Sequence, residues 1–283
     1  MKNRKRLIIK FIAILVLSVL TIVMVGPFAW MISTSLKKSS DVFTEIPTLL
    51  PRDKKTGEIY INFKNYLNVF KYSGIGKAFL NTIIVTFSAT VLNLLINSMA
   101  AFSFACTKWP ARKKIFALLL STMMVPFYTI LIPMLFITKS LHLYNSLLGL
   151  IIPMGGSVYN LFLMKQFFGN IPVDLFEAAK IDGIGWFGLY RKIALPLSKP
   201  VLTVVGVTTF IWHWNSYTWP LVVINDPTNY TLQLQLSLLV SSSGGRYSLM
   251  MAAATVAVFP ILIVFIIFQK YLIKGITLTG LKE

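Results

Sequence analysis

The sequence predicts an all-α membrane protein built from six transmembrane helices. Hydrophobic residues make up 56% of the 283-residue chain and charged residues only 13%, about half the charged share of a soluble domain. Mean hydropathy is +0.73. Lysines and arginines gather in short segments between long apolar runs, the distribution expected of loops held on the cytoplasmic side.

A formal net charge of +18 could indicate nucleic acid. The chain nevertheless has no basic helix suited to a groove and no aromatic–basic sheet signature, so the charge is topological and no nucleic-acid partner is expected. Cys106 is the single cysteine, which excludes an intramolecular disulfide, and within an apolar span it reads as a small buried hydrophobe. His142 and His213 have too few carboxylates near them for a metal site. Walker A, nucleophile-elbow and paired-carboxylate patterns are all missing. The chain is not expected to be an enzyme or to bind a cofactor, and any ATP and Mg must be held by a partner.

The elements follow in order. Lys2, Arg4, Lys5 and Arg6 precede an apolar run at about 11–30, longer than a signal-peptide core and without a small-x-small cleavage site. It is a retained first span with its N-terminus in the cytoplasm. Residues 36–77 form the longest polar segment, with Pro47, Pro51 and a Lys55-Thr56-Gly57 turn. Within it, Phe63 to Phe70 looks helical and lies at the outer surface, as a spacer or a partner contact.

The second span, at about 83–105, ends at Lys108-Trp109-Pro110, and Arg112, Lys113 and Lys114 mark a cytoplasmic turn. The third, at about 115–137, contains Pro126 and Pro133, which loosen a helix where neighbouring protein satisfies freed carbonyls. A short outer turn from Lys139 to Tyr144 leads to the fourth span, at about 147–168, with Pro153 and Gly155-Gly156 as kink points. A polar loop, 170–200, separates it from the fifth span at about 201–223. An outer segment from Asn225 to Tyr247, charged only at Asp226 and Arg246, precedes the sixth span at about 249–268. Lys270, Lys274 and Lys282 mark a cytoplasmic tail. Both termini are therefore inside, and 1–283 forms a single transmembrane domain.

Loop 170–200 carries charges in a pattern. Asp174, Glu177 and Lys180 recur at steps of three, beside a stripe of Phe176, Ala179 and Gly183, so the segment is a short amphipathic helix. Pro172 suits its first turn, and Asp182-Gly183 stops it because glycine takes the left-handed cap conformation. A second helical run, Trp186 to Ala194, leads into Leu195-Pro196. From pattern alone, such a helix either rests on lipid headgroups or lies in another protein's groove. In the second case Ala178 and Ala179 keep its surface low and Glu177 fixes the register.

Glu177-Ala178-Ala179, Gly183 after three residues, Ile193 after nine more and Leu195-Pro196 after one resemble the EAA motif of ABC-importer permeases, with seven positions matching over twenty residues. The resemblance implies a type I importer transmembrane domain. In that family this loop holds the coupling helix that docks on a cytoplasmic ATPase, which gives Glu177, Ala178, Ala179, Asp182, Gly183, Ile193, Leu195 and Pro196 a coupling role.

The fifth span contains Trp212-His213-Trp214-Asn215-Ser216-Tyr217-Thr218-Trp219-Pro220. Trp212, Asn215, Ser216 and Trp219 would share one face of a continuous helix. An amide at that depth facing lipid would cost several kcal/mol, so the face should meet protein or a watery cavity. Rings beside amides and hydroxyls suit a carbohydrate. Trp212, Trp214, Asn215, Ser216, Tyr217 and Trp219 are thus candidate path residues, although Tyr217 and Trp219 also suit an interfacial aromatic belt.

Trp214-Asn215 with Trp219-Pro220-Leu221 is similar to the signature of maltose-type sugar-importer permeases, closest to the second, six-span subunit. Met123-Met124-Val125-Pro126, Gln269-Lys270-Tyr271 and Lys274-Gly275-Ile276-Thr277 extend the likeness over nearly the whole chain. The ending Leu278-Thr279-Gly280-Leu281-Lys282-Glu283 departs from the family's usual tail, which reaches the ATPase interface. The resemblance implies a bacterial inner-membrane sugar permease. Its expected partners are a second, different permease chain, two cytoplasmic ABC ATPases and an extracytoplasmic sugar-binding protein. Three rivals remain: an importer of peptides or osmolytes, an ATP-independent secondary transporter and a structural scaffold. A secondary transporter would call for intramembrane carboxylates, whereas every acidic residue here can be placed in a loop or tail.

Overall fold

The computed structural model describes residues 2–43, 48–54, 56–242 and 244–280. Pro47, Lys55 and the tail 281–283, all invoked above, lie outside the described residues. Among the described residues the fold is helical, apart from one isolated antiparallel bridge between Arg52 and Ile59.

In chain order the helices are α1 (Lys2–Ser35), α2 (Lys64–Tyr72), α3 (Ile75–Cys106), α4 (Arg112–Thr122), α5 (Phe127–Ser140), α6 (Leu147–Ile151) and α7 (Val158–Phe168). They continue as α8 (Val173–Ile181), α9 (Trp186–Leu189), a π-helical turn (Tyr190–Ala194), α10 (Leu195–Leu197), α11 (Lys199–Trp214), α12 (Thr218–Val223), α13 (Leu232–Ser242) and α14 (Tyr247–Gly280).

Among the described residues, three helices are long and apolar enough to cross a bilayer: Arg6–Ser35, Ile75–Cys106 and Tyr247–Tyr271. The other expected spans are broken. The run at 115–137 is α4 and α5, inclined at 104°. The break falls at Met123–Pro126, where Pro126 is extended and serves as the N-cap of α5, whereas Pro133 sits inside an unbroken helix. The run at 147–168 is α6 and α7, of 5 and 11 residues. Ser146 and Ser157 start these two helices, accepting from the amides of Gly149 and Asn160 at 3.2 and 3.3 Å. The run at 201–223 stops at Trp214 and restarts at Thr218. The expected polar stretch before the last span holds a helix of its own, α13.

The chain divides into two compact units. The first comprises residues to Gly76 with Gln235–Phe259. In it α2 is sewn to the end of α1: Asn65 Nδ2 donates to the Ser35 and Lys37 carbonyls at 2.7 and 2.8 Å, and the Ser35 and Tyr66 hydroxyls are 2.6 Å apart. Lys38 pairs with Asp53 at 2.6 Å and caps the Tyr60 ring. Most of α1 is exposed apolar surface, which water would not tolerate and lipid or a neighbouring chain would cover.

The second unit is Lys77–Leu234 with the chain from Pro260. Its axis is α3, whose Thr82, Thr86, Thr90, Asn93 and Asn97 recur at steps of four, four, three and four and are all buried. One apolar cluster joins Val85 and Ala89 of α3 to Leu150, Trp219 and Val223. Another joins Ala101 and Phe102 to Met164 of α7, Phe176 of α8, Tyr190 and Val205.

Candidate functional site

Two places concentrate the chemistry, both in the second unit. The first is loop 170–200. Its helix α8 ends in a hydrogen-bonded left-handed cap. Gly183 has φ +76°, its amide donates to the Lys180 carbonyl at 3.0 Å, and the Ile184 amide donates to the Ala179 carbonyl at 3.0 Å. A Cβ at Gly183 would meet nothing within 4 Å, so glycine is needed there for its backbone angle and not for space.

This cap turns α8 into a two-faced element. Phe176 and Ala179 are buried in the apolar cluster, whereas Glu177, Ala178 and Asp182 are exposed. Ala179 therefore packs inside its own chain, and the low surface expected of both alanines is presented by Ala178 alone. Around Ala178 lie exposed Leu175 and Ile181, followed by Trp186 and Phe187 beyond the cap. The Lys180 ammonium sits 4.4 Å from the Trp186 ring centroid, bracing the two helical pieces across Gly183.

The second half of the loop motif has a different job. Ile193 and Leu195 are half-buried against the cluster and Pro196 is exposed. Tyr190–Ala194 is wound as a π-helix, and the chain bends by 79° between Trp186–Leu197 and Lys199–Trp214. The bend thus falls at Ser198, beyond Leu195-Pro196.

The second place is a cleft of about 510 Å³ lined by Asn93, Met154, Asn160, Thr209, Trp212 and His213, among others. A neighbouring cleft, also about 510 Å³, shares Trp212 and adds Asn215, Ser216, Tyr217 and Trp219. Both lie in the size range of small-molecule sites.

Trp212, Asn215, Ser216 and Trp219 do not sit on one continuous helix, because it breaks between Trp214 and Thr218, yet all four line the second cleft. Trp212 is half-exposed and lines both clefts. Trp214 is buried between Phe79 and Phe210, at ring distances of 5.6 and 5.8 Å. Asn215 is exposed at the end of α11, donating to the Ile211 carbonyl at 3.0 Å and accepting from Gln233 at 3.3 Å. Ser216 is half-buried and Tyr217 lies at the rim of the second cleft. Trp219 is buried, its indole N–H donating to the Gly149 carbonyl at 3.1 Å, and it also borders the second cleft.

Asn93, Asn160 and Thr209, which no sequence motif singles out, form the cleft's polar wall, and Asn97 is hydrogen-bonded to them. Asn93 Oδ1 accepts from Asn97 Nδ2 at 2.9 Å and from Asn160 Nδ2 at 2.8 Å, and Asn160 Nδ2 also donates to Thr209 Oγ1 at 2.9 Å. All four side chains are buried. The network ties α3, α7 and α11 together where an unpaired amide would be most costly. The four-residue step between Asn93 and Asn97 inside an apolar run was the available signal.

A helical membrane protein with three interrupted apolar segments around a polar cleft, and a capped two-faced helix in a loop, has the make-up of a polytopic transport component. Residues 93–278 match the binding-protein-dependent transport system inner membrane component family, and the chain belongs to it. It is 33% identical over 264 residues to the arabinooligosaccharides transport system permease protein AraQ of Bacillus subtilis, covering 93% of this chain and 92% of that one. It is 34% identical over 224 residues to the osmoprotective compounds uptake permease protein GgtD of Synechocystis sp., covering 77% and 74%. In fold it superposes on a chain of the crystal structure of a bacterial ABC transporter involved in import of the acidic polysaccharide alginate. That match has a TM-score of 0.82 at 22% identity, covering 95% of this chain and 98% of that one.

Proposed function

We propose that the chain forms half of the translocation pathway of an ATP-driven importer for a sugar or oligosaccharide, paired with a second, different permease chain. Two ATPases, holding ATP and Mg, dock on the exposed face of α8 from the cytoplasm, and an extracytoplasmic binding protein delivers substrate. Six crossings with both termini inside complete the topology, the interrupted run 147–168 being one whose break lines the cleft. The observation that carries this reading is α8 itself, with Glu177 and Ala178 outward and Phe176 and Ala179 anchored inward. Such a helix transmits a push from outside the chain into the bundle. Trp212 beside Asn160 and Thr209 gives the cleft a ring face and hydrogen-bonding groups, the combination a sugar needs.

A photo-crosslinker at position 178, used in native membranes, tests the docking. The expected product is an adduct with a nucleotide-hydrolysing protein. Capture of lipid alone overturns the reading.

A second reading is import of a small osmolyte, favoured by the relative named for osmoprotective compounds. Thermal stabilisation of the cognate binding protein across oligosaccharides and osmolytes separates the two.

A further inference from the structure

Beside the two clefts, at the break between α11 and α12, lies a much smaller void of about 10 Å³. Thr82, Thr86, His213, Ser216 and Thr231 line it, together with Val85, Leu150 and Trp219 among others. Two of these polar groups are out of the ordinary. Thr86 and Thr231 are 0% and 4% exposed, and neither hydroxyl has a hydrogen-bond partner among the described residues.

A threonine inside a helix ordinarily returns its hydroxyl to the carbonyl four residues earlier, as Thr82 does to Ala78 at 2.9 Å one turn before. Thr86 does not. Leaving a hydroxyl buried and unpaired costs about 1–3 kcal/mol, and two facing one void would double that. Apolar voids stay dry, but one lined by several polar groups and about one solvent sphere in volume holds a water with two to four partners.

We propose that this void is a binding site for a single ordered water, bridging Thr86 Oγ1 of α3 and Thr231 Oγ1 just before α13, with His213 and Ser216 completing its shell. The site lies where α11 has stopped at Trp214 and α12 has not begun, a place where broken membrane helices are commonly re-satisfied by water. His213 lines the void on one side and the larger cleft on the other. The water therefore links the cleft wall to the segment carrying Thr231. Carboxylates are absent from the lining, which disfavours a metal cation and leaves water as the fitting occupant.

Thermal unfolding of the purified full-length protein in its assembled complex tests this, using Thr86→Val, Thr231→Val and the double variant. With a shared water, each single change lowers the melting temperature by about 2–4 °C, and the double variant loses less than the sum. Thr90→Val is the control: its hydroxyl is also buried and unpaired, but Thr90 is not part of the void. That change should leave the melting temperature unchanged or raise it. A rise in both single variants, strict additivity, or an equal drop in Thr90→Val overturns the proposal. Should a variant fail to assemble, a density map of the unaltered protein decides. A peak within hydrogen-bond distance of both hydroxyls upholds the site, and no peak there removes it.

Discussion

The Tyr190 hydroxyl lies 2.7 Å from Ser98 Oγ, joining the π-helical turn of the loop to the buried face of α3. One turn further along α3, the Phe102 ring stands 5.6 Å from Tyr190 and 6.2 Å from Phe176 of α8. Both halves of the loop therefore grip the same helix that carries Asn93 and Asn97. The contacts that lead from α8 to the cleft wall thus run through one continuous helix, α3.

Removing the grip in steps should separate stability from transmission. Tyr190→Phe loses one buried hydrogen bond, while Ser98 keeps its bond to the Leu95 carbonyl at 3.2 Å, so the loss is about 1 kcal/mol. Phe102→Ala removes the ring that both halves share and costs about 3–5 kcal/mol. Thermal unfolding should rank the two in that order. Uptake relative to ATP hydrolysis in reconstituted vesicles should fall more steeply for Phe102→Ala. Equal coupling ratios in both variants would take Phe102 out of the transmission path.

Two glycines should fail for different reasons. Gly183→Ala has space but must adopt φ +76°, a left-handed strain of about 1–2 kcal/mol, and Gly183→Asn should recover part of it. At Gly149 an added Cβ would collide with the Leu143 carbonyl oxygen, which is backbone and cannot swing aside. Gly149→Ala should therefore reduce the yield of folded protein, whereas Gly183→Ala should insert normally and lose uptake. Expression level and uptake measured together distinguish the two cases.

Much of this was legible in the sequence because it rests on local rules. Asp182-Gly183 announced the end of α8 through backbone stereochemistry, and Pro126 and Pro153 marked interruptions that the chain realises nearby. The placing of Trp219 and Ala179 was not legible. Whether an aromatic ring or a small residue faces lipid, cavity or core depends on which helix comes alongside, and no spacing rule within one segment supplies that. The Asn93–Asn97–Asn160–Thr209 network spans three helices, so only its four-residue step along α3 could be seen in advance. The break after Trp214 was hidden because Asn215-Ser216-Tyr217 looked like polar decoration on a continuous helix.

The Asp226 carboxylate accepts from the Thr228 amide at 2.8 Å, a bond that, with further help from Lys77, holds its pKa below the ordinary 3.8. A depressed carboxylate adds stability that is complete above the unfolded value and lost as pH falls through the folded one. The turn Pro227–Asn229 should therefore loosen only below about pH 4. Asp226→Asn should keep the turn and flatten that acid dependence. Proteolysis of this loop from pH 6 to pH 3 measures both; an unchanged acid profile in the variant would show that another group controls the turn.

Trp212 and Trp214, two positions apart, should respond to the same substitution in opposite ways. Trp214 is 1% exposed and wedged between Phe79 and Phe210, so Trp214→Ala opens a cavity and costs about 3–5 kcal/mol. Trp212 is 52% exposed and its ring borders both clefts, so Trp212→Ala removes little packing. If the clefts carry the substrate, Trp212→Ala should raise the KM for uptake several-fold with the melting temperature within about 2 °C of the parent. Asn215→Leu, on the rim of the second cleft, should change the ranking of substrates and not the stability. Unchanged KM in Trp212→Ala together with unchanged substrate ranking in Asn215→Leu would mean that the sugar passes along surfaces supplied by the partner permease. Trp212 would then be lipid- or partner-facing packing.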